Sequence, residues 1–464
     1  MRNTILKPLR RAVALLFLVS TALLFSGLAV FLPVKCVLWL QFIPSLLNFT
    51  AVVSLSSAGF IVVVISALLF GRVYCSFICP LGILQDVFIR VSAVLLKKTN
   101  TYKRPLYVIS FLILGICILP LFFRNIIFLN LLDPFGISGR IFAGFQGSLL
   151  LSAILLLVFA VFGSLKNRWY CNVICPLGVV LGLLSRLSFF RIRIEGGLCA
   201  ACGSCEGVCK SNCIDYRSHR LDFDRCVGCM NCLGSCPEKA ISFRAGRDKK
   251  KTPAFAQPAV ENNSRRNFIK TSAMGVATVS GLLPVSGLFT VSGRLPETLP
   301  VMPPGAVNLW HFTEKCTACQ LCVSSCPTRV LQPSFFEYGL SGLFQPKLDF
   351  ERSFCKYDCI KCTEVCPSGA IQPLGLYEKQ RTQTGLAVFA KNQCLVVEKQ
   401  KPCAKCSEHC PAKAIEMLPY LGKLRIPKVD PKLCNGCGAC EFYCPVRPEK
   451  AISVEANAYQ RLIW

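Results

Sequence analysis

Six runs of four cysteines carry most of the chemistry open to this chain. Two come first: Cys199, Cys202, Cys205 and Cys209, then Cys226, Cys229, Cys232 and Cys236. Four more follow: Cys316, Cys319, Cys322 and Cys326; Cys355, Cys359, Cys362 and Cys366; Cys394, Cys403, Cys406 and Cys410; Cys434, Cys437, Cys440 and Cys444. The spacing C-x2-C-x2-C-x3-C is the ligand pattern of [4Fe–4S] clusters, and the runs opening at Cys355 and Cys394 depart from it in their first gap. A disulfide framework would also use many of the 31 cysteines, and zinc would use paired knuckles, but a recurring triplet plus one argues against both. Six [4Fe–4S] clusters are therefore expected. In two-cluster ferredoxins the fourth cysteine of each run serves the other cluster. That predicts Cys199, Cys202 and Cys205 with Cys236, and Cys226, Cys229 and Cys232 with Cys209. Lys210 stands where a proline is usual, and Cys213 is a spare. Among the later four runs, first with fourth and second with third is the expected pairing, since the irregular runs then meet. Pairing of sequence neighbours is the alternative.

A second constellation is duplicated. Arg-Val-Tyr-Cys-Ser-Phe-Ile-Cys-Pro-Leu-Gly, from Arg72, returns from Arg168 as Arg-Trp-Tyr-Cys-Asn-Val-Ile-Cys-Pro-Leu-Gly. If each C-x3-C is helical, Cys75 and Cys79 share a face, as do Cys171 and Cys175. Duplication about a pseudo-twofold axis could then gather four sulfurs into a redox site or a seventh metal site. The rival reading makes them small, well-packed hydrophobes. Cys36 and Cys117 lack such partners and are expected to be packing residues.

The elements that must position these groups are hydrophobic. Of all residues 53% are hydrophobic and 17% charged, and from Met1 to Phe190 the only acids are Asp86 and Asp133. Stretches near 12–32, 51–70, 105–123 and 148–165 are long enough to cross a bilayer, which needs about 20 residues in a helix. Arg and Lys concentrate before the first, between the second and third, and after the fourth, which puts the N-terminus and both C-x3-C-P motifs on the cytoplasmic side. Six [4Fe–4S] clusters, each about −2 with its thiolates, would offset about twelve units of the formal charge of +27, and the rest lies mostly in these flanks, so no nucleic-acid partner is implied. The expected organisation is a four-helix membrane domain (1–190), a cytoplasmic two-cluster domain (191–250), a linker (251–263), a signal-anchor (264–293) and a four-cluster domain (294–464).

Electron entry is constrained by what is missing. His219, His311 and His409 are the only histidines, and none lies in the membrane half, so a bis-histidine haem there is excluded. No C-x-x-C-H haem attachment, flavin or nicotinamide motif occurs. A membrane quinol is the expected donor. Its oxidation releases protons, which makes Asp133 and Asp86 candidate acceptors, although Asp133 could equally begin a turn before Pro134. His311 and His409 are expected at the surface.

Ser-Arg-Arg-Asn-Phe-Ile-Lys, Ser264–Lys270, resembles a twin-arginine export signal and precedes a moderately apolar stretch, 271–292. An ordinary fifth membrane helix would give the same topology. Folded export suits a domain whose clusters are inserted inside the cell, and an uncleaved anchor is favoured. The last domain is then periplasmic at a bacterial inner membrane.

These motifs carry a family resemblance. Residues 1–250, with four helices, two C-x3-C-P motifs and two cytoplasmic clusters, resemble the NapH membrane ferredoxins. Residues 264–464 resemble the NapG/MauM ferredoxin-type proteins. The resemblance implies an α-helical membrane domain of four helices plus a signal-anchor, with α+β ferredoxin-like domains on each side. It also implies a quinol dehydrogenase pair, joined in one chain, passing electrons to a periplasmic cytochrome or nitrate reductase-like system. The alternative is an electron conduit or maturation factor for a periplasmic redox enzyme, fed by a cytoplasmic donor.

Overall fold

A computed structural model describes residues 2–27, 34–50, 58–95, 99–144, 149–246 and 299–463. The twin-arginine motif and the signal-anchor lie outside them, as does the side chain of Cys36.

The first half is helical. Helix α1 (Arg2–Phe25) is followed by α2 (Val34–Trp39), α3 (Phe42–Phe49), α4 (Gly59–Phe70), α5 (Tyr74–Phe77) and α6 (Pro80–Leu95). Then come α7 (Tyr107–Phe122), α8 (Ile127–Leu132), α9 (Pro134–Ala143), α10 (Leu149–Lys166), a π-helical turn (Tyr170–Ile174) and α11 (Pro176–Ser185). Two described segments, Leu6–Phe25 and Leu149–Lys166, are long and apolar enough to cross a membrane; α4 and α7 are apolar but shorter. Helix α4 stops at Gly71, whose φ of 81° ends the helix and whose missing Cβ leaves room for Phe223. Large apolar side chains face outward along the long helices, among them Leu15, Leu16 and Val19 on α1, Leu112 and Ile116 on α7, and Leu150 and Leu157 on α10. Water would penalise so large an exposed apolar surface.

Among the described residues, the chain from Phe190 onward is built from short helices and five two-stranded antiparallel sheets. Strand β1 (Phe190–Ile194) pairs β4 (Ile241–Ala245), placing Ile192 opposite Phe243, and β2 (Ile214–Asp215) pairs β3 (Arg220–Leu221). Strand β5 (Leu331–Pro333) pairs β6 (Pro346–Leu348), and β8 (Ile415–Pro419) pairs β9 (Arg425–Val429). The longest pair joins β7 (Thr382–Phe389) to β10 (Ile452–Leu462). Each sheet pins the ends of cysteine loops, whose cores pack cysteines against larger apolar side chains such as Phe312, Phe350 and Ile241.

The two cysteine modules sit at opposite ends of α1. Near its start Arg10 reaches Asp86 and Ser76, and α1 packs on the helix Asn231–Ser235 of the first module. Near its end Leu24 and Phe25 pack with Cys319 and Leu321 of the second. Fifteen residues separate Arg10 from Phe25, about 22 Å at the helical rise.

Candidate functional site

The four regular cysteine runs share one backbone. In each, the residue before the second cysteine and the one after it have positive φ: Ala201 and Gly203, Gly228 and Met230, Ala318 and Gln320, Gly436 and Gly438. These reversals curl the loop so that three successive sulfurs face inward. Four of these residues are not glycine, and left-handed backbone costs each about 1–2 kcal/mol. The runs opening at Cys355 and Cys394 lack the device: Ile360 and Ala404 keep negative φ.

Sulfurs from different runs then converge. One small void is lined by Cys355, Cys359 and Cys362 together with Cys326, and another by Cys394, Cys403 and Cys406 together with Cys444. Cys322 has Cys316, Cys319 and Cys366 as its electrostatic neighbours, and Cys440 has Cys437, Cys434 and Cys410. The run opening at Cys316 therefore pairs with the run opening at Cys355, and the run opening at Cys394 with the run opening at Cys434, which corrects the expected first-with-fourth arrangement. The reason is local packing: the helix Leu321–Ser324 lies on Lys361–Val365, and Lys405–Glu408 on Ala439–Tyr443. In the first module Cys205 neighbours Cys199 and Cys236, while Cys229 neighbours Cys209 and Cys226, as the swapped pattern predicts. These two pairs are joined by a backbone hydrogen bond from Cys355 to the Cys437 carbonyl at 2.9 Å.

Among the described residues no three His, Cys, Asp or Glu side chains converge tightly enough for a single metal ion. At two of the cages four sulfurs surround a void rather than a point. Such a cage fits a four-iron core. Every cysteine whose side chain is described is free of disulfides. Burial pushes the free thiols up, Cys319 to about 12 and Cys229 to about 11, so only a bound metal would hold them as thiolates at neutral pH. Cys213, expected to be a spare, lies with its sulfur 3.6 Å from that of Cys209. That hydrogen bond, opposed by burial, brings Cys209 down to about 7.

The duplicated motif is more ordered than a shared helix face. Helix α5 ends at Phe77 and a new helix begins at Pro80; in the second copy Cys175 ends the π-helical turn and caps α11 at Pro176. Each C-x3-C therefore straddles a joint between helices, which corrects the single-helix expectation. The proline, lacking an N–H, can only start the following helix. Cys75, Cys79, Cys171 and Cys175 are nonetheless all buried in one core with Tyr74, Tyr170 and Val227.

Reciprocal contacts build this quartet. Arg72 Nη2 donates to the Cys171 carbonyl at 2.6 Å, and Arg168 Nη1 donates to the Cys75 carbonyl at 2.9 Å. A Cβ on Gly82 would lie 2.2 Å from the Cys75 carbonyl oxygen, and one on Gly178 would lie 2.1 Å from that of Cys171. Glycine is required at both places. Gln85 Oε1 is 3.0 Å from Cys171 Sγ, while its Nε2 is buried without a partner. The two amide ends are interchangeable by a flip, so Gln85 can donate to a Cys171 thiolate. That donor suits a metal-bound sulfur.

The two acids have different surroundings. Asp86 meets Arg168 at 2.8 Å and both Arg10 and Lys210 at 3.2 Å. Burial raises its carboxyl, but Arg168, Lys210 and Arg10 outweigh that and hold it below the usual range, which makes it a poor proton acceptor. Its partner Lys210 is the residue that departs from the ferredoxin proline. Asp133 caps α9, accepting from Gly136 N at 2.8 Å and Phe135 N at 3.3 Å, and burial raises its carboxyl to about 6. The turn-forming role expected of it is present, together with a proton affinity near neutrality.

Both modules dock beside the quartet. On one side Ser76 Oγ donates to the Val227 carbonyl at 2.6 Å, between Cys226 and Cys229. On the other, Arg140 Nε donates to the Ala318 carbonyl at 3.3 Å, and a Cβ on Gly139 would lie 2.1 Å from the Cys319 carbonyl oxygen. Arg72 and Arg168, which head the two copies of the motif and sit among the positive flanks, carry this arrangement; their identity at matching places in both copies is the signal that marks them. His311 is partly buried against the Gly369 carbonyl, and exposed His409 stacks on Tyr443.

Cages of this kind, on paired antiparallel strands, define a protein that carries electrons on several iron–sulfur clusters. Families described as 4Fe-4S binding domains match residues 52–99 and 145–195, which hold the duplicated motif, and residues 219–242 and 427–448; a 4Fe-4S dicluster domain matches 315–371. The chain belongs to the family of the ferredoxin-type protein NapG of Escherichia coli, to which it is 30% identical over 212 residues, covering 43% of this chain and 89% of that protein. The ferredoxin-type protein NapF of the same organism is 28% identical over 146 residues, 32% of this chain and 80% of NapF. An uncharacterized protein of Methanocaldococcus jannaschii is 27% identical over 151 residues, 32% of this chain but only 55% of its own length. No solved structure matches.

Proposed function

We propose that the chain is a membrane-embedded iron–sulfur relay that oxidises membrane quinol and delivers electrons to a periplasmic cytochrome or reductase, joining a NapH-like half to a NapG-like half. The observation that carries this reading is the buried cysteine quartet, flanked by Cys226 and Cys229 on one side and Cys319 on the other. The modules meet α1 about 22 Å apart along its length, and a centre between them would divide that distance. Cys75, Cys79, Cys171 and Cys175 would hold a seventh centre midway, and the 24 run cysteines would hold six [4Fe–4S] clusters. Bound clusters supply one-electron carriers; the chain fixes their spacing and excludes water from them. The outward apolar side chains of α1, α4, α7 and α10 support four membrane crossings. The alternation of basic flanks supports a cytoplasmic first module and, across the anchor at 264–293, a periplasmic second one. The domain limits proposed are those read from the sequence. Of the two acids, Asp133 has the carboxyl raised by burial to about 6, and Asp86 the one held low by its cations.

A second reading, entry of electrons from a cytoplasmic donor for maturation of a periplasmic enzyme, is favoured by one feature: Cys202 is exposed at the surface of the first module. One experiment separates the two. Membranes containing the protein are given quinol, and cluster reduction is followed by EPR together with iron analysis. Reduction by quinol with iron for seven centres supports the first reading, whereas clusters that quinol leaves oxidised, but a reduced ferredoxin reduces, support the second.

A further inference from the structure

A cavity of about 340 Å³ lies between α7, the π-helical turn, α11 and the first cysteine module. Tyr107, Phe111 and Trp169 line it with aromatic rings, and Val179 and Leu183 with aliphatic surface. Its volume falls in the range of small-ligand sites, and seven arginine and lysine side chains, Lys103, Arg104 and Lys166 among them, line it beside the apolar groups. The polar groups are already oriented: Tyr107 Oη donates to Asp224 at 2.6 Å, and Asp224 also accepts from Arg186 at 2.8 Å.

Two parts of the wall touch the cysteine sites. Asn172 and Val173 lie between Cys171 and Cys175 of the quartet, and Ser211 and Asn212 lie between Cys209 and Cys213 of the first module. The cavity thus borders backbone that is adjacent in sequence to both sets of cysteines. Leu106 and Leu183 line it and also turn outward, 44% and 38% exposed, so a lipid-dissolved molecule has an apolar way in.

We propose that this cavity receives the ring of a membrane quinol, an inference that rests on the quinol-oxidising reading above. Asp133 does not line it, so protons leave by another route. Oxidation to quinone breaks two O–H bonds. The two protons pass to water at the cationic mouth, and the two electrons pass to oxidised iron–sulfur centres, one to each adjoining site.

The test uses the full chain in lipid nanodiscs, menadiol as electron donor and a photoactivatable quinone analogue as binding probe. Val179→Trp fills the cavity and Phe111→Ala removes one ring from its wall. The expected results are labelling within residues 104–111 or 169–183 of the wild type, and loss of that labelling in Val179→Trp. Menadiol-driven reduction should fall at least about tenfold in Val179→Trp, and half-saturation should weaken by about tenfold in Phe111→Ala, the scale of one lost ring contact. Dithionite should reduce both variants as it does wild type, showing that they are folded. Labelling elsewhere, or wild-type menadiol kinetics in both variants, overturns the site and leaves quinol oxidation standing. A phospholipid held in the wild type and expelled by Val179→Trp, with quinol reduction unchanged, overturns it in favour of a lipid site. If menadiol never reduces the wild type, the parent reading falls and takes this site with it.

Discussion

Replacing Asp86 with Asn should be among the most damaging single changes in the chain. Asp86 is the shared anion for Arg168, Arg10 and Lys210, whose side chains are 0%, 5% and 12% exposed. These cations come from α1, the second repeat and the first cysteine module, so one carboxylate ties three parts of the molecule together. Removing one member of a buried ion pair costs about 3–5 kcal/mol, because the remaining charge is left uncompensated. Arg168 keeps its bonds to the Cys75 and Gly82 carbonyls, which limits the loss to about that range. The comparison is Arg124→Gln, which breaks the 3.1 Å pair with Glu314 where Arg124 is 80% exposed; a surface pair contributes about 0–1 kcal/mol. Denaturant unfolding in detergent, followed by loss of cluster absorbance, measures both. If Asp86→Asn unfolds no more easily than Arg124→Gln, the tripartite anchor is wrong. If it stays stable and fully loaded yet stops oxidising quinol, Asp86 is a proton acceptor after all.

Other expectations follow from the same geometry. Cys75→Ser or Cys175→Ser should lower bound iron by about four atoms per chain and interrupt transfer between the modules while leaving their own EPR signals; unchanged iron would reduce the quartet to packing. Asp133→Asn should preserve the cap on α9, since Asn caps as well as Asp, but change the pH profile. With its carboxyl raised to about 6 from about 4 unfolded, the folded state binds the extra proton between those values. Stability should therefore fall by about 2–3 kcal/mol as pH rises through that window, and the fall should vanish in Asp133→Asn. Gly139→Ala drives a Cβ to within 2.1 Å of the Cys319 carbonyl oxygen. It should cost at least about 1–3 kcal/mol and slow transfer from the quartet to the last 170 or so residues, with no loss of iron; normal transfer would mean that this contact does not matter.

Much of the site was legible because metal ligation imposes short, fixed spacings. The swapped pairing of Cys209 and Cys236 could be read directly from the runs. The pairing of the later four could not, since resemblance between two irregular runs says nothing of which short helices pack together. The left-handed residues were equally hidden: Ala201, Met230, Ala318 and Gln320 hold that conformation without being glycine. The motif at Cys75 invited a helical reading because its spacing is four, yet Pro80 and Pro176 open new helices and break each copy at its second cysteine. Arg72 and Arg168 looked like ordinary positive flanks of membrane segments. Only the fold shows that both are buried, each aimed into the other repeat. Asp86 and Asp133 were equivalent as isolated acids and were told apart only by neighbours distant in sequence.

The exchange of arginines between the repeats limits how such a molecule could have arisen. Neither half can satisfy its own guanidinium or complete its own set of four sulfurs; each is finished by its twin. A single-copy ancestor would have needed to self-associate as a symmetric dimer, and tandem duplication would then have made that association permanent. Once both copies shared a chain, their outer surfaces were free to diverge, as they have: one repeat supplies Asp86 to hold the first cysteine module, while the segment leading into the other supplies Gly139 and Arg140 to hold the second.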